Sequence, residues 1–245
     1  MADSKIEWTD KTWNPVTGCS KISKGCEHCY AEVMSRRLKS MRKQKYVNGF
    51  KLTLHEDCLN EPLAWTKSHF IFVCSMSDLF HKDVPFTFVD KVMDVIRKTP
   101  QHRYQILTKR AERMYEYFRT RDIPENAWLG VTVEAASSKP RIDYLRELDA
   151  SIKFLSCEPL IEDLGTLNLD RIDWVIVGGE SGPFGRIMKK EWVLSIKKQA
   201  DKLGIAFFFK QWGTWGEDEI KRNKHKNGKL IDGQIYQVMP SLKMD

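Results

Sequence analysis

The chain has 245 residues, 42% of them hydrophobic and 30% charged, enough apolar material for one large α/β domain or two small ones and too much for a disordered chain. Forty basic residues against 33 acidic give a net charge of +7, a surplus compatible with a polyanionic partner. No apolar run approaches the roughly 20 residues that span a bilayer, and Met1-Ala2-Asp3-Ser4-Lys5 lacks the apolar core of a secretion signal, so a cytoplasmic protein with no membrane association is expected.

In chain order, Trp13–Thr17 is a weak strand candidate, followed at once by Gly18-Cys19 and Gly25-Cys26-Glu27-His28-Cys29-Tyr30. Cys19, Cys26 and Cys29 have the spacing C-x6-C-x2-C, while Cys58, Cys74 and Cys157 are scattered. Crowded cysteines in a reducing compartment point to metal rather than to disulfides. A helix is predicted next, with Tyr30, Val33, Met34, Leu38 and Met41 as its apolar stripe. Lys51–His55 is a second weak strand.

From residue 69 the pattern sharpens. Strands are predicted over 69–74, 104–107, 127–133, 152–155, 173–177 and 205–209, all rich in β-branched and aromatic residues with little alternation, as expected of strands buried on both faces. Helical stretches fall between them at Phe88–Lys98, Lys109–Arg119 and Lys190–Leu203, the last closed by Gly204. The succession predicts an α/β fold: a parallel (β/α) barrel, complete or partial and TIM-like, with a doubly wound open sheet as the alternative. Residues 1–212 would form the barrel and its cysteine loop. Residues 213–245, punctuated by glycine and basic side chains, would form an irregular tail on the same domain.

Active-site groups of such barrels gather at the carboxyl ends of the strands, and the apolar runs here stop on polar residues. His55-Glu56-Asp57, Ser77-Asp78, Thr108-Lys109-Arg110 and Glu134 are followed by Cys157-Glu158, Gly178-Gly179-Glu180-Ser181 and Lys210-Gln211-Trp212. A single acidic residue after a strand is commonly a helix cap; the repetition predicts a polar mouth with several carboxylates and cations. Two glycines after a strand would let a ligand approach the backbone closely.

Three thiolates admit two metal chemistries. A structural zinc ion takes four ligands, with His28, Cys58 or His55 available as the fourth. An iron–sulfur cluster held by three cysteines keeps one iron open to a substrate or cofactor, the arrangement used by S-adenosylmethionine radical chemistry.

Several motifs resemble the phage Gp37/Gp68 family, also described by its three-cysteine motif. They include Thr12-Trp13-Asn14-Pro15-Val16-Thr17-Gly18-Cys19, Ser75-Met76-Ser77-Asp78-Leu79-Phe80, Ser156-Cys157-Glu158-Pro159-Leu160 and Phe207-Phe208-Phe209-Lys210-Gln211-Trp212-Gly213. More loosely, the three-cysteine loop, the Ser77-Asp78 strand end and the Thr108-Lys109 strand end resemble radical S-adenosylmethionine enzymes similar to spore photoproduct lyase, which act on thymine lesions in DNA. This chain departs from their usual C-x3-C-x2-C spacing, and Tyr30 follows the third cysteine where an aromatic residue usually precedes it.

The resemblance implies a [4Fe–4S] cluster on Cys19, Cys26 and Cys29, and S-adenosylmethionine held by a set drawn from Ser77, Asp78, Thr108, Glu134, Gly178, Gly179, Glu180 and Ser181. Cys157, Lys109 and Glu158 are the catalytic candidates, Cys157 as a hydrogen-atom donor. The implied reaction modifies or repairs a base of nucleic acid, DNA ahead of RNA, with an electron donor such as flavodoxin or ferredoxin; whether a neighbouring protein takes part is open. Basic residues from Arg36 to Lys45 and from Lys221 to Lys229, the latter near Trp212 and Trp215, would contact phosphates, or form solvated cationic faces. A zinc-containing, non-enzymatic nucleic-acid-binding protein and a metal-independent hydrolase are the competing functions.

Overall fold

The computed structural model describes Ser4 and residues 6–241. Met1, Ala2, Asp3 and Lys5, part of the amino-terminal stretch read for an export signal, lie outside the described residues, as do the last four residues of the tail.

In chain order the strands are β1 (Lys11–Trp13), β2 (Val16–Thr17), β3 (Thr53–Leu54), β4 (Phe70–Val73), β5 (Arg103–Thr108), β6 (Ala127–Thr132), β7 (Lys153–Cys157), β8 (Trp174–Gly178) and β9 (Ala206–Gln211), before a short hairpin in the tail. Seven of them form the main sheet in the order β1-β4-β5-β6-β7-β8-β9, the order of the chain. Doubly wound sheets reverse direction at a switch point; a parallel sheet that advances one strand at a time is the order of a (β/α) barrel. With seven strands it is the partial, TIM-like form. The crossovers carry α1 (Tyr30–Ser40), α2 (Phe86–Lys98), α3 (Ala111–Phe118), α4 (Pro140–Arg146) and α5 (Lys190–Lys202), whereas β7 reaches β8 through an irregular segment.

The chain divides into two compact units. The first comprises Met1–Ile22, Cys29–Gly130 and Glu147–Ser151, and the second Ser23–His28, Val131–Arg146 and Ile152–Asp245. In the first unit, β1 pairs with β4 in parallel, Lys11 opposite Ile71 and Trp13 opposite Val73, and β4 pairs with β5, Phe70 opposite Arg103. The expected strand over Trp13–Thr17 breaks at Asn14-Pro15, and the one over Lys51–His55 shrinks to the two residues of β3. β2 and β3 pair antiparallel with each other, outside the main sheet. Proline supplies no ladder N–H, so the chain turns away from the sheet there. Glu56, read as a strand-end group, instead pairs with Lys91 at 2.7 Å on the surface.

In the second unit, β7 and β8 pair in parallel with Cys157 opposite Val177, and β8 pairs with β9 with a register shift at Val177/Gly178. Every residue of β7 and β8 is buried, which explains their unbroken apolar character. The tail is less irregular than expected. It contains α6 (Lys224–Asn227) and the hairpin of β10 (Leu230–Ile231) and β11 (Gln234–Ile235). It also supplies acceptors for two buried indoles: Trp174 Nε1 donates to the Val238 carbonyl at 3.1 Å and Trp212 Nε1 to that of Leu230 at 2.7 Å.

The apolar stripe expected of α1 packs only in part, through the half-buried Met34 and Leu38. Tyr30, Val33 and Met41 are 69%, 64% and 56% exposed, and Ser35 is the helix's buried residue. A small residue lets a helix seat closely. Among the described residues, no helix is long and apolar enough to cross a membrane.

Candidate functional site

In the first unit the chemistry centres on Asp78, which follows β4. Its side chain is 7% exposed and accepts hydrogen bonds on both oxygens. Thr108 Oγ1, at the end of β5, donates to Oδ1 at 2.7 Å, and the Phe80 N–H to the same oxygen at 3.0 Å. The Lys109 N–H and Arg110 Nη1 donate to Oδ2 at 3.1 and 2.9 Å. Arg110 then reaches the cysteine loop: Nη1 lies 3.6 Å from Cys19 Sγ, and Nη2 donates to the Ser20 carbonyl and hydroxyl at 3.0 and 3.1 Å. Ser20 Oγ is also 2.7 Å from His81 Nε2, and Ser77 donates from its hydroxyl to the Gly18 carbonyl. Burial pushes the Cys19 thiol up and the charge of Asp78 adds to this, while Arg110 works in the opposite direction.

In the second unit two strand-end carboxylates grip the turn 23–28 from separate sides. Glu134 is fully buried; Ser23 donates from its hydroxyl to Oε1, and Arg141 Nη1 donates to Oε2 at 2.7 Å. A Cβ on Gly25 would lie 2.6 Å from Glu134 Cγ, so this position accepts only glycine without displacement. The Cys26 N–H donates to the Ser23 carbonyl at 3.0 Å, closing the turn that carries the thiol. Glu180 accepts from Arg186 three times and lies 3.2 Å from His28 Nδ1, while Arg186 Nη1 donates to the Lys24 carbonyl at 3.1 Å and to Glu27 at 3.2 Å.

Glu158 pairs with Lys210 at 2.9 Å and accepts from Ser156 Oγ at 3.2 Å. Cys157, beside it in sequence, is fully buried, and its thiol is pushed up chiefly by that burial. The glycine pair has a packing role that differs from the expected one. A Cβ on Gly179 would land on the Trp212 carbonyl oxygen, and one on Gly178 would lie 2.7 Å from Glu158 Oε1. The Gly179 N–H is already committed to the Gln211 carbonyl at 2.9 Å. Gly179 lets the end of β8 approach the end of β9, and Gly178 makes room for the Glu158 carboxylate. Ser181 is exposed and accepts from Gln211 Nε2 at 2.9 Å.

Asp78, Glu134 and Glu180, expected to contact a cofactor, therefore have their oxygens occupied by protein donors and act on the cysteine loop. Lys109 contributes its backbone N–H to Asp78. Arg110, Arg141 and Arg186 are the cations that complete these contacts. Arg110 stands in the strand-end run after β5, but no sequence pattern singles out Arg141 or Arg186. For Arg186 the available signal is a lone arginine after the glycine- and proline-rich stretch Gly182-Pro183-Phe184-Gly185.

The donor set suits an iron–sulfur group. All six cysteines are free; Cys19, Cys26 and Cys29 are half-buried, and Cys58, Cys74 and Cys157 are buried. A thiol must be ionised and within reach to ligate, and burial opposes both. Among the described residues, no group of three or more His, Cys, Asp or Glu side chains is gathered as around a single metal ion.

The chain belongs to the family described as "Protein of unknown function (DUF5131)", whose model matches residues 3–240. No curated protein matches it. Among solved structures it is similar to spore photoproduct lyase complexed with dinucleoside spore photoproduct, with a TM-score of 0.50 at 10% identity over 82% of this chain and 63% of that one. A doubly substituted spore photoproduct lyase with bound AdoMet and dinucleoside spore photoproduct matches with a TM-score of 0.45, at 10% identity over 78% of this chain and 61% of that one. The chain thus spans a little under two thirds of the length of the solved proteins it matches. At this identity the first likeness is one of fold.

Proposed function

We propose that the protein is a radical S-adenosylmethionine enzyme that modifies or repairs a base of nucleic acid, with Cys19, Cys26 and Cys29 as the ligands of a [4Fe–4S] cluster. The observation that carries this reading is the treatment of the cysteine loop. Its three thiols are the half-buried ones of the chain, and strand-end carboxylates fix the segments that bear them. Asp78 acts through Arg110 at Cys19; Glu134 acts through Ser23, and Glu180 through His28 and Arg186, at the Cys26 turn. A thiol loop needs such anchoring when its ligand is bulky and one coordination position must stay open. The fold likeness to spore photoproduct lyase, solved with a dinucleoside lesion, supports the choice of substrate class, DNA ahead of RNA.

Held by Cys19, Cys26 and Cys29, such a cluster would supply the one-electron reducing chemistry that S-adenosylmethionine cleavage requires. Around it the protein's own residues bind and orient. Ser77 fixes the Gly18 carbonyl, and Thr108 and the Lys109 N–H hold Asp78 in place. The exposed Ser181 and the Glu158–Lys210 pair are left to contact cofactor or substrate. Cys157, kept protonated by its surroundings, retains the S–H that hydrogen-atom donation requires. A small electron carrier such as flavodoxin or ferredoxin completes the cycle in the cytoplasm.

The test is anaerobic reconstitution followed by metal and sulfide analysis, absorption spectroscopy and product assay. About four irons and four sulfides per chain, lost in the triple cysteine-to-serine variant, together with reductant-dependent 5′-deoxyadenosine, are expected. Stoichiometric zinc without visible absorbance, or a full cluster that forms no 5′-deoxyadenosine, would overturn the proposal.

A further inference from the structure

The second unit holds a cavity of about 450 Å³ between the loop that follows β8 and the segment that follows β9. Gly182, Pro183 and Thr214 form one wall, and Lys221, Lys224 and His225 another; no carboxylate lines it. Of its cations, Arg222 is committed to Asp218 by bonds of 2.8 and 2.6 Å. Lys221 Nζ donates to the Pro183 carbonyl at 2.8 Å and lies 5.9 Å from the Trp215 ring centroid, which leaves it two further donors at the cavity. The side chains of Lys224 and His225 are exposed and, among the described residues, have no carboxylate partner.

The walls are stitched together. The Gly182 N–H donates to Thr214 Oγ1 at 2.9 Å, the Arg222 N–H to the Thr214 carbonyl at 2.9 Å, and Trp215 Nε1 to the Gly185 carbonyl at 2.7 Å. A cavity so braced costs little to organise when a ligand enters. Phe184, next in sequence to the cavity-lining Pro183, is 74% exposed, its ring 5.9 Å from that of His28 at an interplanar angle of 32°. His28 belongs to the turn that carries Cys26. An exposed aromatic residue that adjoins, in sequence, a cavity whose lysines have no carboxylate on its walls is the chemistry that receives a base on the ring and a phosphate on the cations.

We infer that this cavity is the backbone subsite for a single-stranded stretch of nucleic acid. Lys221 and Lys224 hold phosphate there, and Phe184 stacks the base next to the one that enters the site. The inference rests on the proposed function for its substrate class but not for its test, which requires neither cluster nor cofactor.

The experiment measures fluorescence anisotropy of a fluorescein-labelled single-stranded thymidine oligonucleotide of about ten nucleotides, titrated with the full chain across a salt series. Removing two phosphate contacts in Lys221→Ala/Lys224→Ala should weaken binding about tenfold and flatten the log–log salt slope by about 1.4. Phe184→Ala should weaken binding by about 5- to 100-fold and leave the slope unchanged. Lys224→Glu alone, an exposed substitution that removes no internal bond, should weaken binding even if the double variant folds poorly. Lys198→Ala/Lys202→Ala, an equal loss of charge on the exposed face of α5, should behave as the parent chain. Parent-like binding by Lys224→Glu and Phe184→Ala, an equal loss in the control pair, or displacement of the oligonucleotide by inorganic phosphate at equal concentration would each overturn the inference. A chain that forms 5′-deoxyadenosine but binds no oligonucleotide refutes the subsite alone. One that binds through these residues but forms none refutes the proposed radical function alone.

Discussion

Glu180 and Arg186 are joined by three hydrogen bonds across six residues: the Arg186 N–H and Nε donate to Oε2 at 3.0 and 2.8 Å, and Nη2 donates to Oε1 at 2.6 Å. The carboxylate is 5% exposed and the guanidinium 27%, so little solvent screens the pair, and the remaining Nη1 of Arg186 is free to hold Lys24 and Glu27 of the cysteine turn. Burial tends to raise the Glu180 carboxyl, but the bonds from Arg186 and His28 outweigh it and hold the group below the usual carboxylate range. A depressed folded-state value means that the pair's stability is present above the unfolded value of about 4.3 and is lost as pH falls through the folded one. Glu180→Gln should therefore cost about 3 kcal/mol at neutral pH. In urea titrations at stepped pH, its gap from the parent chain should close below about pH 4. A gap that stays constant into acid would mean that the carboxylate charge is not what holds the turn.

Glu134 gives the same turn a second anchor with less tolerance. Ser23 and Arg141 occupy its two oxygens and Gly25 lies against its Cγ. A methyl group at position 25 has nowhere to go, because the carboxylate it meets is tied at both ends and fully buried. Gly25→Ala is expected to lose about 1–3 kcal/mol of stability through overpacking. Ser23→Ala should lose a similar amount by leaving a buried acceptor short of a donor. Both should lower iron uptake on reconstitution. Equilibrium unfolding with an unchanged m-value checks the stability, and iron per chain checks the turn. Full stability and full iron in both variants would remove Glu134 from any positioning role.

At the other end of the loop, Asp78 and Arg110 are 7% and 10% exposed and 2.9 Å apart. Removing one partner of such a pair leaves the other charge buried and unpaired. Asp78→Asn is expected to cost about 3–5 kcal/mol, since an amide oxygen cannot accept from Thr108, Phe80, Lys109 and Arg110 together. Arg110→Gln should cost less, because Asp78 keeps the bonds from Thr108, Phe80 and Lys109. The double variant should be less damaged than the sum of the two, with a coupling of about 1–3 kcal/mol in a double-mutant cycle. Additive losses would show that the two residues act separately.

The parts of this protein legible in its sequence are those governed by burial. The runs at 127–133, 152–155 and 173–177 identify β6, β7 and β8 because strands covered on both faces need apolar side chains at every position. The helices α2, α3 and α5 follow from their periodicity, while α4 is not among the expected helices, and the polar residues at the strand ends follow from the abrupt stop of each run. Pairing was not legible. Glu134 meets Ser23 across 111 residues, His28 meets Glu180 across 152, and Arg110 meets Cys19 across 91, and nothing local to any of these residues marks its partner. Two local patterns also pointed elsewhere. The stripe on α1 has the right spacing for a core face, yet three of its five residues are exposed and Ser35 is the one fully buried position, and Lys51–His55 has strand propensity but only two residues with a partner strand.

The glycine pair after β8 is the sharpest case, because two physical accounts of it predict different failures. If Gly178 and Gly179 keep the backbone bare for a ligand, a methyl group there would block binding and leave the folded chain untouched. The structure instead aims a Cβ at position 179 into the Trp212 carbonyl and commits the Gly179 N–H to Gln211. A clash with backbone cannot be relieved by a rotamer change, so β9 would have to move away and break that bond. Gly179→Ala is therefore expected to destabilise the chain by about 3 kcal/mol with no ligand present. Lys198→Ala, on the exposed face of α5, serves as the surface reference and should change stability by no more than about 0.5 kcal/mol. Thermal unfolding of the metal-free chain decides it: an unshifted midpoint for Gly179→Ala would return the pair to a ligand-binding role.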